Sequence, residues 1–350
     1  MNHTSSSIRG LQRGFTLIEL MVALVLGLLV IGAAGSIFLS NRRVYGSTEA
    51  INRIQENQRT AFELLARDVR EAGANPCQRF TSTNRPIVLQ TAPNATFWTR
   101  FPDGLFGVDG TGAGGSDSIT LYSGNNSQYN VVQHKLPTDP ITVNNTTGLT
   151  NGQALMICNT DYAIVFAATS ITAGGTTIGH DGAGNCGKGL TPTPDLTQCA
   201  ATNSGPGYCY QVPGVPPGTP SATDTTNCPK GIGQSPAFVL VPTDAVWTVE
   251  ANSRGGNSLY RTFAGARSEI AEGITSLRVT YRVGTTPAYV SAANVTAANA
   301  WSLVTGVHLA MTFQAAQGAM AQGDNKGTDN SVLTRTLDDF IALRNHQDIQ

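Results

Sequence analysis

Two hydrophobic patterns follow one another at the start of the chain. Residues 15–39 are apolar except for one charge, Glu19. At about 1.5 Å per residue they give roughly 37 Å of helix, enough to cross a bilayer core of about 30 Å. Over residues 40–72 the apolar positions recur at helical spacing and leave one face polar. The pattern predicts one helix over residues 15–72, capped by Gly73.

Beyond Pro76 the pattern changes to short apolar segments separated by turn residues, which predicts strands. No helix long enough for a βαβ crossover separates them, so an antiparallel sheet is expected. The sequence therefore predicts an α+β fold, with a long N-terminal helix packed on an antiparallel β-sheet domain. The predicted strands are Ile87–Gln90, Ser118–Tyr122, Ala154–Cys158, Ala163–Ala167, Ala237–Val241, Ala245–Val249, Leu259–Phe263, Ile274–Val283, Leu303–Phe313 and Val332–Leu343.

Cysteines add a constraint to this picture. There are six, and no two have the C-x-x-C spacing of a zinc ribbon or redox motif. An even number in an exported chain predicts up to three disulfides, with the pairing left open, and free cysteines of a cytosolic protein are the alternative. Residues 174–235 are rich in Gly, Pro and Thr, which predicts an irregular, disulfide-held loop region. The candidates are Cys77, Cys158, Cys186, Cys199, Cys209 and Cys228.

Charge composition excludes one class of function. Charged residues make up 13% of the chain, against about 25% in typical soluble domains. The formal net charge is −1. No broad basic field is therefore expected, and general nucleic-acid binding is set aside.

The flanks of the apolar run predict its orientation and its processing. Arg9 and Arg13 precede the run without any acid, which favours a cytoplasmic N-terminus and export of the remainder. An ordinary secretory signal is cleaved after its apolar region, but no such site follows Leu39. The processing point is instead Gly14–Phe15, so that cleavage leaves the apolar helix on the mature chain.

Glu19 has two interpretations from the residues alone. A carboxylate inside a membrane helix is unfavourable and is usually paired. Cleavage before Phe15 would create an α-amino group four residues away, which a neighbouring subunit's Glu19 could bind. Alternatively, Glu19 stabilises the positive end of the helix dipole.

The ten residues Arg13–Val22, with the sequence RGFTLIELMV, resemble the type IV prepilin leader, also called the class III signal. The resemblance implies that a prepilin peptidase cleaves after Gly14 and methylates the new N-terminus at Phe15. It also implies that Glu19 is the assembly carboxylate.

The resemblance further implies a pilin-like division of the chain. Residues 1–14 are the leader, 15–39 the transmembrane and filament-core helix, and 40–73 its amphipathic continuation. Residues 74–350 form the exported β-rich domain, in which 158–235 are a Cys/Gly/Pro-rich excursion.

The C-terminal part is similar to PilW-type minor pilins. The matching segments include Leu259–Arg261, Glu272–Ile274 and Leu343–Asn345. One departure is His308, where an arginine is expected, so an ion pair made by that arginine is in doubt. Further matching residues are Gly115–Ile119, Leu277, Tyr281, Trp301, Val304 and Val307.

This second resemblance implies a minor pilin that helps to initiate pilus assembly and lies at or near the tip, supporting motility and adhesion. Its expected partners are other minor pilins, the major pilin, the prepilin peptidase, the inner-membrane assembly platform and a large tip adhesin. The chain is expected in the inner membrane before assembly and in the extracellular pilus afterwards. Two alternatives are a J-type pseudopilin of a type II secretion system and an adhesive binding module at the tip.

Motifs for catalysis or cofactors do not support an enzyme. Residues 110–115 satisfy G-x-G-x-x-G but lead into a strand, which predicts a turn and not a dinucleotide site. The five histidines lack ligand spacing. No catalytic residue, metal site or cofactor is therefore predicted. Two pairs of aspartates lie beside glycine-rich loops that could bind calcium, although solvated turns are expected at both. The pairs are Asp109 with Asp117, and Asp324 with Asp329.

Overall fold

A computed structural model describes most of the chain: residues 14–77, 79–81, 84–89, 95–124, 128–135, 139–160, 162–181, 185, 210, 236–315 and 331–346. Two compact units are present. The first comprises Met1–Arg53 with Gly318–Leu333, and the second Ile54–Gln317 with Thr334–Gln350. Helix α1, Leu17–Glu71, contributes to both.

Short helices and strands make up the rest of the described chain. The helices are α2 (Ala95–Arg100) and α3 (Ala292–Ala297), with 3₁₀ turns at Phe101–Asp103, Ala113–Gly115, Trp301–Leu303 and Arg344–His346. The strands are β1 (Ile87–Val88), β2 (Leu105–Val108), β3 (Ser118–Ser123), β4 (Gln128–Gln133), β5 (Ile141–Val143), β6 (Ala154–Cys158), β7 (Ala163–Ala167), β8 (Ser170–Ile171), β9 (Thr177–Gly179), β10 (Phe238–Leu240), β11 (Thr243–Ala251), β12 (Asn257–Phe263), β13 (Ala266–Glu272), β14 (Ile274–Val283), β15 (Tyr289–Val290), β16 (Val304–Gln314) and β17 (Thr334–Ala342).

The described strands form three sheets in the second unit. Their orders are β1-β7-β6-β10-β4-β5-β9-β8, β13-β12-β11-β3-β2 and β15-β14-β16-β17. All pairs are antiparallel except β1 with β7, where Ile87 pairs with Ile164 in parallel. The predicted α+β class is confirmed, and the expectation of purely antiparallel pairing is wrong for that short pair. Strands β1 and β7 are neighbours in the sheet, although five other strands lie between them in the sequence.

The large sheet has its own hydrophobic core. Buried residues of β4, β5, β6, β7 and β10 pack together with Ile178 of β9 and with Tyr210. Tyr210 is 1% exposed, and its hydroxyl donates to the Ile157 carbonyl at 2.9 Å. The prediction that residues 174–235 are irregular throughout is therefore wrong at β9. Ile178 is apolar and fully buried, so the strand is stabilised by the core it joins.

The part of α1 in the second unit packs on the sheets through its apolar stripe. Its buried apolar residues are Ile54, Ala61, Leu65, Ala66 and Val69, and Ala72 is buried just beyond the end of the helix. The buried positions from Ile54 onwards lie at the helical spacing that the sequence displays, which confirms the amphipathic pattern there, whereas Val44 of the predicted stripe is 62% exposed.

A buried ion pair joins α1 to β12. Asp68 Oδ2 lies 2.6 Å from Arg261 Nε, and its Oδ1 lies 3.1 Å from Nη2. The Trp247 indole N–H donates to Asp68 Oδ2 at 2.9 Å. The Arg261 guanidinium also lies 4.5 Å from the Phe263 ring centroid. The carboxylate, whose residue is 5% exposed, is thus compensated on both oxygens.

Gly107 in β2 faces the ring of Tyr281, a fully buried side chain of β14. A Cβ atom at Gly107 would lie 1.8 Å from the Tyr281 hydroxyl. We expect Gly107→Ala to lower the free energy of unfolding by about 1–3 kcal/mol in urea denaturation, because the core has no room for the methyl group. Gly256→Ala is the control, since its nearest atom is 3.7 Å away. Equal effects of the two substitutions would contradict the packing argument.

The C-terminal segment holds the end of α1. Gly73 has a φ of 73°, which suits a helix-terminating glycine, and its N–H donates to the Tyr122 carbonyl at 2.8 Å. The Asn345 side-chain amide donates to the Ala72 carbonyl at 3.0 Å. His346 is buried beside Gly73, and its Nδ1 donates to the Val304 carbonyl at 2.9 Å.

This arrangement predicts acid sensitivity. Burial lowers the pKa of His346 to about 4, although the Val304 carbonyl acts in the opposite direction. The unfolded chain, with an ordinary pKa near 6.5, binds the proton more tightly, so stability is full above about pH 6.5 and is lost as the pH falls towards 4. Between pH 7 and 4.5, protonation of His346 should lower the free energy of unfolding of the natural chain by about 2–3 kcal/mol. Urea denaturation of His346→Gln should show a pH dependence that is smaller by this amount. An unchanged pH dependence would contradict the assignment.

Candidate functional site

The first turn of helix α1 is closed by reciprocal hydrogen bonds between Thr16 and Glu19. The Thr16 backbone N–H and hydroxyl donate to Glu19 Oε2 at 3.0 and 2.9 Å. The Glu19 N–H donates to Thr16 Oγ1 at 3.3 Å. This arrangement is a capping box, and it places the carboxylate at the positive end of the helix dipole. Pairing with a second subunit's amine would exchange the Thr16 donors for an ammonium group.

The Gly14–Phe15 bond lies in non-helical chain just before this box. Phe15 is 89% exposed, and a Cβ atom at Gly14 would meet no atom within 4 Å. An exposed, non-helical bond beside the start of a helix is accessible to a peptidase.

Side chains after Phe15 form a long exposed apolar surface. Leu17 is 77%, Leu28 76% and Ile31 73% exposed. The helix is long and apolar enough to cross a membrane. Such a surface is unfavourable in water and requires lipid or other protein around it.

Residues 9–35 match the family model described as the prokaryotic N-terminal methylation motif. The matched range contains the Gly14–Phe15 bond, the capping box and much of the apolar run. The chain begins as a type IV pilin-like prepilin does. Its apolar helix is consistent with membrane anchoring before assembly, and a prepilin of this kind is a structural subunit with partners in a membrane-associated assembly machinery. No curated protein and no solved structure matches the chain.

Among the cysteines of the chain, Cys77 and Cys158 form a disulfide. The bridge ties the segment after α1 to β6 and packs against an aromatic cluster that includes Phe101 and Tyr122. The other four cysteines lie outside the described residues: Cys186, Cys199, Cys209 and Cys228.

The first aspartate pair singled out for calcium is used within the fold. The Asp109 carboxylate accepts hydrogen bonds from the Ala292 and Ala293 N–H groups at 3.0 and 2.8 Å, at the start of α3. Asp117 is 5% exposed, and its Oδ2 accepts from the Val279 N–H at 2.9 Å. The expectation of a solvated turn is therefore wrong for Asp117, because its buried carboxylate accepts hydrogen bonds from the Gly110 and Val279 N–H groups and lies 3.3 Å from Arg278 Nη1.

The second pair, Asp324 and Asp329, lies outside the described residues. Within the described ranges, no three His, Cys, Asp or Glu side chains are grouped so as to hold a metal ion.

His308, where the resemblance leads us to expect an arginine, does have an acidic partner. Its Nε2 lies 2.6 Å from Asp338 Oδ1 on the neighbouring strand β17. The Tyr289 ring lies against the imidazole, with the ring centroids 4.8 Å apart. A cross-strand pair with a carboxylate thus exists at this position, with a charge on the histidine only when it is protonated.

Proposed function

We propose that the prepilin is a minor pilin of a type IV pilus. The observation that carries this proposal is the methylation motif at the start of an exposed apolar helix, in a chain that continues into a β-rich domain. Cleavage after Gly14 frees the Phe15 amine, which is then methylated. The helix remains on the mature chain and packs among other pilin helices in the filament core.

Glu19 acts as the assembly carboxylate in this proposal. It is exposed and lies one turn from Phe15, so its carboxylate can bind the Phe15 amine of an adjacent subunit. The Thr16 donors that hold it in the single chain keep the carboxylate oriented at the helix start until the neighbouring amine takes their place.

The position proposed for the subunit is at or near the pilus tip, where it helps to initiate assembly. The packing around α1 supports the PilW-type assignment, because several residues of that resemblance make the contacts that hold the helix: Arg261 binds Asp68, and Asn345 binds the Ala72 carbonyl. Its partners would be other minor pilins, the major pilin, the prepilin peptidase, the inner-membrane platform and a large tip adhesin.

Immunogold labelling of pili from the native host tests the position. We expect label at filament ends and a marked loss of pili when the gene is deleted. Label at regular intervals along the shaft would contradict the tip position. Loss of enzyme secretion with normal pili would instead support a J-type pseudopilin, which shares the methylation motif.

A further inference from the structure

The helix carries two unpaired arginines immediately beyond its apolar run. Arg42 and Arg43 are exposed, and in the part of the chain that the structure describes neither makes an ion pair. The next arginines along the helix differ, because Arg53 Nε lies 2.9 Å from Glu49 and Arg59 Nε lies 2.7 Å from Glu63.

The depth of these arginines relative to the apolar run is fixed by helix geometry. They follow Leu39 by three and four residues, which is about 5–6 Å along the helix. The polar layer of a leaflet extends roughly 5–7 Å beyond the hydrocarbon core. When residues 17–39 span the core, Arg42 and Arg43 therefore lie at the level of the lipid phosphates. Tyr45, 75% exposed, follows at the depth where tyrosines are enriched in membrane proteins.

Charge in this stretch is of one sign. No acidic residue occurs between Glu19 and Glu49, so the arginines have no intrachain counter-ion close in sequence. Guanidinium groups bind phosphate through paired N–H donors, and each basic residue at a membrane surface strengthens attraction to anionic lipid.

We propose that Arg42 and Arg43 bind anionic phospholipid headgroups of the outer leaflet of the inner membrane. The inference rests on the proposed function for its orientation. Once the leader with Arg9 and Arg13 is removed, this pair holds the basic side chains nearest to the apolar run. Its lipid contacts then set the depth of the mature helix and must be released when the subunit enters the filament.

Lipid enrichment around the full chain tests the proposal. The protein is placed in nanodiscs of equal phosphatidylglycerol and phosphatidylcholine, and the lipids retained on release are counted by native mass spectrometry. We expect phosphatidylglycerol to be enriched around the natural chain. The double variant Arg42→Gln/Arg43→Gln should lose about fivefold in affinity per arginine, and 0.5 M salt should reduce the enrichment.

Two matched variants serve as controls for charge and for side-chain type. Arg53→Gln/Arg59→Gln removes the same charge from the same helix and should leave the enrichment unchanged, whereas Arg42→Lys/Arg43→Lys should keep most of it. Equal enrichment in Arg42→Gln/Arg43→Gln and the natural chain would overturn the proposal. If that variant also failed to enter filaments, the arginines would bind carboxylates of neighbouring subunits instead.

The N-terminal mass of the chain from host membranes separates this inference from the proposed function. Lipid enrichment with an uncleaved Met1 would uphold the lipid site and contradict the pilin function. A methylated Phe15 without lipid enrichment would support the pilin function and contradict the lipid site.

Discussion

Replacing Glu19 by glutamine is expected to reduce incorporation of the chain into filaments by at least tenfold, while cleavage after Gly14 continues. Glutamine is accepted in a capping box, so the first turn of α1 with Thr16 should persist. It carries no charge, so the Phe15 amine of the neighbouring subunit would lie unpaired in an apolar filament core. Truncating one partner of a buried charge pair costs about 2–5 kcal/mol, well above the 1.4 kcal/mol that corresponds to tenfold.

Quantitative immunoblotting of sheared pili against membranes measures this effect. Thr16→Val is the matched control, because it removes the hydroxyl of the capping box and keeps the carboxylate. We expect its incorporation to stay within about fivefold of the natural chain, since the loss of a cap costs only about 1 kcal/mol. If Thr16→Val blocked incorporation and Glu19→Gln did not, Glu19 would be a helix cap without an assembly role.

Asp68→Ala is expected to lower the free energy of unfolding of the β-rich unit by about 3–5 kcal/mol. The substitution leaves the Arg261 guanidinium, whose side chain is 19% exposed, without its carboxylate, and the Trp247 indole N–H without an acceptor. Trp247 is fully buried and Arg261 is mostly buried, so water replaces the lost partner only in part. Urea denaturation followed by tryptophan fluorescence measures the change.

Glu63→Ala provides the control for Asp68→Ala on the same helix. It breaks an ion pair with Arg59 whose side chains are 60% and 80% exposed, and exposed pairs contribute about 0–1 kcal/mol. The double variant Asp68→Leu/Arg261→Met should be more stable than Asp68→Ala, because it removes the uncompensated charge together with its partner. Equal losses in Asp68→Ala and Glu63→Ala would contradict a buried pair.

The strands predicted best from the sequence are those with dense apolar patterns. Ala154–Cys158, Ala163–Ala167 and Ile274–Val283 have the predicted bounds. The first two strands are almost entirely buried, and the third has Ile274, Leu277, Val279 and Tyr281 buried, so hydrophobic burial both selects these residues and stabilises the strands.

Strand β13, at the edge of its sheet, was missed for the corresponding reason. Strand β13, Ala266–Glu272, is largely exposed and charged, and it is held by pairing with β12 and not by a core. Arg254 binds Glu272 at 2.7 Å and also contacts Glu269, so charged groups stabilise this edge. A strand with neither face buried has no alternating pattern of apolar residues from which it could be predicted.

The residues of the candidate site and of the buried ion pair also differ in whether the sequence could predict them. The leader pattern identified Gly14, Phe15 and Glu19, and their proposed roles still await experiment. The capping role of Thr16 could have been predicted, because Thr-x-x-Glu before an apolar run is a capping-box spacing. The partnership of Asp68 with Arg261 could not, since 193 residues separate them and only the packed sheet brings them together.

The mature N-terminus tests the central claim most directly. The chain is purified from host membranes that contain the native prepilin peptidase, and its N-terminal peptide is measured by mass spectrometry. We expect a chain that starts at N-methylated Phe15. An uncleaved Met1, or cleavage beyond Leu39, would contradict it and would leave Glu19 as the cap of a membrane anchor or of a discarded signal.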